Sequence, residues 1–168
     1  MANPSKPIRV LFLCTHNSAR SILSEALLNH LGGNRFRAYS AGSSPRANQS
    51  PNPLALDTLR EAGISIEGLR SKSWDEFGVK NAPSMDLIIT VCDNAAAELC
   101  PIWPGHPATA HWSYADPSAV TGDEDAKRAA FQKTLELIRQ RLTQFVSLPD
   151  DALSPGMIQR SARSLAED

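Results

Sequence analysis

Residues 9–21 read Arg-Val-Leu-Phe-Leu-Cys-Thr-His-Asn-Ser-Ala-Arg-Ser. The run from Arg9 to Leu13 is short and ends in Cys14. It is apolar on both alternating faces, the pattern of a central strand covered on both sides. Behind it the period changes. Ile22, Leu23, Ala26, Leu27, His30 and Leu31 share one helical face, and Gly32-Gly33 supplies the stop. A buried strand that passes through a polar loop into a helix predicts an α/β architecture.

The rest of the chain repeats the alternation. A second strand is expected around Phe36 to Ser40, followed by a Gly/Ser/Pro loop from Gly42 to Pro45. Asn52-Pro53 is a helix start, with Asn as the cap and Pro in the first position, and that helix runs to Gly63. Irregular chain follows, with a short helix near Trp74 to Phe77. Leu87 to Val91 is the strongest strand signal, again apolar on both faces. Asp93 to Leu99 reads as a weakly anchored helix, and Pro101, Pro104 and Pro107 forbid regular structure after it. Ala108 to Trp112 is the last expected strand. Asp123 caps a long helix whose Phe131, Leu135, Ile138, Leu142 and Phe145 form a core-facing stripe. The expected organisation is one catalytic domain over residues 1–148 and a polar tail over 149–168, whose Arg160 and Arg163 read as a solvated helix face. Helices on both faces of the sheet place any site at the carboxyl ends of the strands, where Cys14 and Cys92 lie.

The 168 residues suit a single domain. Hydrophobic residues make up 42% and charged residues 21%, ordinary globular usage that argues against a disordered or fibrous chain. With 17 Lys+Arg against 18 Asp+Glu, the net charge is −1, so no nucleic-acid surface is expected. No signal-peptide core or membrane span stands out, and the expected location is cytoplasmic. Three cysteines, Cys14, Cys92 and Cys100, do not make a secreted disulfide framework.

The segment Cys14-Thr15-His16-Asn17-Ser18-Ala19-Arg20-Ser21 contains Cys-x5-Arg. Alone, that spacing is a weak signal. Between a strand and a helix N-terminus it gains meaning. Backbone N–H groups there converge on one spot and the helix dipole adds positive potential. Arg20 can fork onto two oxygens of a tetrahedral oxyanion. The same field favours the nucleophilic thiolate of Cys14. Asn17 tolerates the left-handed backbone that bends such a loop without glycine, and Ser21 can cap the helix or donate to the thiolate. The competing reading is a buried filler cysteine with Arg20 as a surface charge. Against it stands the polarity of Thr-His-Asn-Ser, which is costly to bury without an anion. No histidine spacing suggests a metal site.

This loop, the strand before it and the helix after it resemble the low-molecular-weight tyrosine phosphatase fold, and most closely the arsenate reductases built on it. The resemblance spans Ile8 to Val146 and is carried by Cys14 to Ser21, Ser40-Ala41-Gly42, Thr90-Val91-Cys92, Cys100-Pro101 and Asp116-Pro117. It implies a four-stranded parallel sheet in the order 2-1-3-4. It also implies an oxyanion loop of Thr15, His16, Asn17, Ser18, Ala19, Arg20 and Ser21, and Asp116 as general acid. Phosphatases of this fold place aromatic residues after the Asp-Pro. Here Ser118, Ala119 and Val120 follow, and Tyr114 precedes, which suits a small oxyanion.

In the thioredoxin-coupled reductases two further cysteines flank a short helix. The resemblance thus implies that Cys14 attacks arsenate, Cys92 attacks Cys14 to form a disulfide and release arsenite, and Cys100 then attacks Cys92. No cofactor is bound in such a scheme. An external thiol reductant closes it: thioredoxin, with glutathione and glutaredoxin as the alternative. Phosphate or sulfate would fit the same loop. The spacing of the later cysteines is one residue longer than is familiar in that group, and His16 stands where many relatives have glycine. Eight residues of intact helix span about 12 Å, whereas a disulfide needs Cα atoms within about 7 Å. Pairing Cys92 with Cys100 therefore requires the segment between them to unwind. Two other functions are carried forward, a tyrosine phosphatase and an oxyanion- or redox-sensing module without turnover.

Overall fold

The computed structural model describes residues 7–43, 50–78, 82, 84–91 and 107–166. Four parallel strands, β1 (Ile8–Cys14), β2 (Phe36–Gly42), β3 (Leu87–Thr90) and β4 (Ala108–His111), lie in the order β2-β1-β3-β4. This is the expected order, and β1 is central because it carries no polar side chain between Val10 and Leu13. Around the sheet lie α1 (Arg20–Leu31), α2 (Pro53–Glu61), the single turn α3 (Asp75–Gly78), α4 (Glu124–Val146) and α5 (Ile158–Leu165). Among the described residues no helix is long and apolar enough to cross a membrane.

Alternation along β1 divides the core. Val10, Phe12 and Cys14 face the larger cluster, which α1, α2, α4 and α5 cover, with Phe145 tilted against Phe36 and edge-to-face with Trp112 at centroid distances of 5.1 and 5.7 Å. Leu11 and Leu13 face the smaller cluster with Trp74, Phe77, Met85 and Ile88. The capping signals are realised. Asn52 accepts from the Leu54 amide and Asp123 from the Ala126 amide. Gly63, at φ 77°, ends α2 in a Schellman turn, with Gly63 N–H donating to Arg60 O and Ile64 N–H to Leu59 O.

Two expectations are revised. His30 is exposed, while Leu28 is fully buried. Helix α1 lies against the sheet and α4 together, so its buried face is broad, and His30 in the last turn overhangs it. The chain after Leu148, read from its polarity as a tail, packs on the domain. Arg35 holds it at its start, donating to Val146 O, Leu148 O and Asp150. Leu153, Ile158 and Ala162 then enter the main core cluster. Three anchors in so polar a segment leave too little period for a sequence to reveal. Arg160 is exposed as expected, but the exposed Arg163 donates to Thr109 O at 2.9 Å and to Thr109 Oγ1 at 3.0 Å. On the far side of the sheet, the Asn29 side chain accepts from Ala38 N at 2.8 Å and donates to Ala38 O at 3.2 Å. The expected helix from Asp93 to Leu99 lies outside the described residues.

Candidate active site

The site is built where β1 ends. Cys14 is 5% exposed, and its carbonyl accepts from Ser43 N, which ties the strand end to the chain leaving β2. Residues 15–19 then turn into α1. The turn depends on Asn17, whose φ of 54° makes it the one non-glycine with positive φ among the described residues. Left-handed backbone is unfavourable for any side chain, so something must hold it. Asn17 is completely buried. Its Nδ2 donates to Ser21 Oγ at 2.8 Å, its Oδ1 accepts from Lys72 N at 3.0 Å, and its carbonyl accepts from Ser71 Oγ at 2.6 Å. Ser21 therefore serves Asn17. It does not cap α1, whose N-cap position is Ala19 and has no side-chain cap.

The neighbouring elements press on the loop from outside. A Cβ added at Gly42 would stand 2.7 Å from Thr15 O and 3.0 Å from Asn17 N, so only glycine lets β2 end this close. Ser18 O accepts from Asn52 N at 2.9 Å, which joins the loop to the start of α2. Beneath Ser71-Lys72 lies a buried ion pair, Lys72 Nζ to Glu25 Oε1 at 3.8 Å, with Ser40 Oγ also donating to Glu25. Burial dominates both partners. It raises the Glu25 pKa and lowers that of Lys72, and their mutual attraction opposes each shift.

Arg20, in the first turn of α1, points across to the chain after β4. Its Nη1 donates to Tyr114 O at 2.9 Å, and its Nη2 lies 3.6 Å from Asp116 Oδ2. Its Nε is buried and has no hydrogen-bond partner among the described residues. Asp116 begins a 3-10 turn with Pro117 in the first position. Its Oδ1 accepts from Ser118 N at 2.9 Å and Ser118 Oγ at 2.7 Å, which leaves Oδ2 facing Arg20. Close by, Tyr114 is buried under the Arg141 guanidinium, and burial pushes its phenol up to about 12.

The structure thus brings Cys14, Thr15, His16, Asn17, Ser18, Ala19, Arg20 and Ser21 into one loop and sets Asp116 against it. Cys92 and Cys100 lie outside the described residues. Among the described residues, no three of His, Cys, Asp and Glu gather in a way that could hold a metal ion. Sequence reasoning missed the supports: Gly42, Asn52, Ser71, Lys72 and the Tyr114 carbonyl. Four of the five act through backbone atoms or a close approach, which leave no motif. Gly42 stood in the Ser40-Ala41-Gly42 motif, Asn52 as a helix cap and Tyr114 for its ring, none of them for the support it gives the loop.

Comparison with known proteins gives the family. Residues 9–154 match the family model described as low molecular weight phosphotyrosine protein phosphatase. The chain is 36% identical over 136 residues to an arsenate reductase of Bacillus subtilis and 38% identical to one of Bacillus licheniformis. Each match covers 81% of this chain and 93% of the relative. A thioredoxin-dependent arsenate reductase of Corynebacterium glutamicum superposes with a TM-score of 0.60 at 28% identity, over 84% of this chain and 61% of that one. The strand order β2-β1-β3-β4 accords with these matches, and a family model over most of the chain together with relatives at 36% and 38% identity carries the conclusion: the chain belongs to the low molecular weight phosphotyrosine protein phosphatase family.

Proposed function

We propose that this protein reduces arsenate to arsenite. The observation that carries the reading is the Arg20 side chain. Two of its nitrogens are engaged by Tyr114 O and Asp116, while the buried Nε is left for an oxyanion oxygen beside Cys14. The names of the relatives supply the choice of arsenate over a phosphate ester.

In the proposed cycle, the Cys14 thiolate attacks arsenic and Asp116 gives a proton to the departing hydroxide, which leaves as water. The Cys92 thiolate then attacks Cys14 Sγ. The sulfur–arsenic bond breaks with its electron pair going to arsenic, which passes from the pentavalent to the trivalent state. Arsenite leaves and a Cys14–Cys92 disulfide remains. Cys100 attacks Cys92, which frees the Cys14 thiolate and forms Cys92–Cys100. An external dithiol reduces that bond. Thioredoxin is the reductant favoured by the Corynebacterium relative, with glutathione and glutaredoxin as the alternative. No resident cofactor enters the cycle, and arsenic detoxification is its physiological sense.

The test is arsenate-dependent NADPH consumption with thioredoxin and its reductase, run beside p-nitrophenyl phosphate hydrolysis. Strong hydrolysis without arsenate-dependent consumption makes the protein a phosphatase, the second reading, which the family description favours. Asp116→Ala is expected to lower turnover by about two to four orders of magnitude. Undiminished arsenite release would remove Asp116 from the acid's role. Arsenate binding without any turnover would instead mark an oxyanion-sensing module. Cys100→Ser is expected to trap a Cys14–Cys92 disulfide, read by mass spectrometry.

A further inference from the structure

Helix α5 lies beyond residue 154, where the family model stops. It nevertheless grips the chain that serves the site. Residues 112–116 leave β4 in no regular structure and carry both groups that face Arg20, the Tyr114 carbonyl and the Asp116 carboxylate. From the β3 side this segment is held by Trp112 N to Thr90 O at 2.8 Å and by Tyr114 N to Val91 O at 3.4 Å, the latter at the weak end of the hydrogen-bond range.

The other side is held by α5. Gln159 Oε1 accepts from Thr109 N at 3.1 Å, and Arg163 Nε donates to Thr109 O at 2.9 Å. Trp112 Nε1 donates to Ala162 O at 2.8 Å in a buried bond. Leu165 joins Ser113, Tyr114 and Arg141 in the wall of a cavity of about 210 Å³. The strand end and the first turns of the segment are thus clamped between β3 and α5, four residues before Asp116.

We propose that α5 is a positioning element of the oxyanion site, with Gln159 and Arg163 as its positioning residues. By holding Thr109 and Trp112 from outside, it sets the height at which the Tyr114 carbonyl meets Arg20, and so the aim of the guanidinium at the anion. The inference rests on the reading of the Cys14 to Ser21 loop as an oxyanion site.

The test uses the full chain with Gln159→Ala and Arg163→Ala combined, both exposed positions. Alkylation of Cys14 by iodoacetamide is followed by peptide mass spectrometry, with and without inorganic phosphate. In the variant the phosphate concentration for half-protection is expected to rise about fivefold, equivalent to roughly 1 kcal/mol. The alkylation rate without phosphate changes far less than the half-protection, since both substitutions lie outside the Cys14 to Ser21 loop. The KM for arsenate rises in parallel while kcat holds. Arg163→Lys, which keeps one donor for Thr109 O, retains most of the wild-type affinity. Equal half-protection in variant and wild type overturns the inference, as does a variant that loses thermal stability but no anion affinity. A wild-type chain that phosphate and arsenate fail to protect overturns the site reading and the inference together.

Discussion

Replacing Asn17 by glycine and by alanine separates two demands that this residue meets at once. Both substitutions remove the bonds to Ser21 Oγ and Lys72 N. The Lys72 amide is then left beside a buried loop without its acceptor, a loss of about 1–3 kcal/mol. Glycine accepts the φ of 54° freely, and its remaining cost is the entropy of a looser unfolded chain, about 0.5–1 kcal/mol. Alanine avoids that entropy but meets a left-handed penalty of about 1–2 kcal/mol. The glycine variant should lose about 2–3 kcal/mol, and the alanine variant roughly 0.5–1 kcal/mol more. Urea unfolding followed through Trp74 and Trp112, both buried, reads these values as shifts in midpoint at constant slope. Phosphate protection of Cys14 should weaken in the same order. An alanine variant as stable as wild type, or more stable than the glycine variant, refutes the claim that strain at Asn17 is held down by its hydrogen bonds.

Three further expectations concern the surroundings of the loop. Gly42→Ala should lower stability by about 1–3 kcal/mol and weaken phosphate protection, because its Cβ meets backbone atoms of Thr15 and Asn17 that cannot rotate away; unchanged protection would contradict it. Lys72→Met should cost about 3 kcal/mol by leaving Glu25 buried without its cation, and adding Glu25→Leu should recover much of that loss. The signs of the two shifts give a pH test of the same pair. The stability that Glu25 contributes is full below the ordinary glutamate pKa and is lost as pH rises through its raised value, while that of Lys72 is full above the ordinary lysine pKa and is lost as pH falls through its lowered one. Glu25→Gln should therefore flatten the decline of stability from acid towards neutral pH. Tyr114→Phe should abolish the phenolate absorbance that rises near pH 12 and change stability by no more than about 1 kcal/mol, since Arg141 lies over the ring and the buried Oη has no well-formed hydrogen bond among the described residues.

Much of this molecule was legible because two periods meet at Cys14. The strand on one side and the helix on the other can be read from apolar spacing, and the loop between them must then face the carboxyl end of the sheet. Asn17 could be anticipated, since few other residues turn such a loop in the absence of glycine. What held Asn17 could not be. Lys72 contributes a backbone amide from 55 positions away, and no side-chain pattern encodes that. Tyr114 was read for its ring, yet it serves Arg20 through its carbonyl. Helix α5 escaped because Leu153, Ile158 and Ala162 are sparse anchors in a charged stretch, and the contacts of Gln159 and Arg163 with Thr109 exist only once β4 is the outermost strand.

The Asn29 side chain has a counterpart across the sheet that bears on how copies of this protein behave when crowded. On β2, Asn29 satisfies both polar groups of Ala38, and further along the Gly42 amide and carbonyl bond Lys72 O and Trp74 N. On β4, Gln159 and Arg163 satisfy both polar groups of Thr109. An incoming strand from another chain needs those same donors and acceptors to add to a sheet. At Ala38, Gly42 and Thr109 the outward groups are already taken by side chains or by the chain's own loops, so a strand adding at either margin would have to displace these bonds before it could pair there.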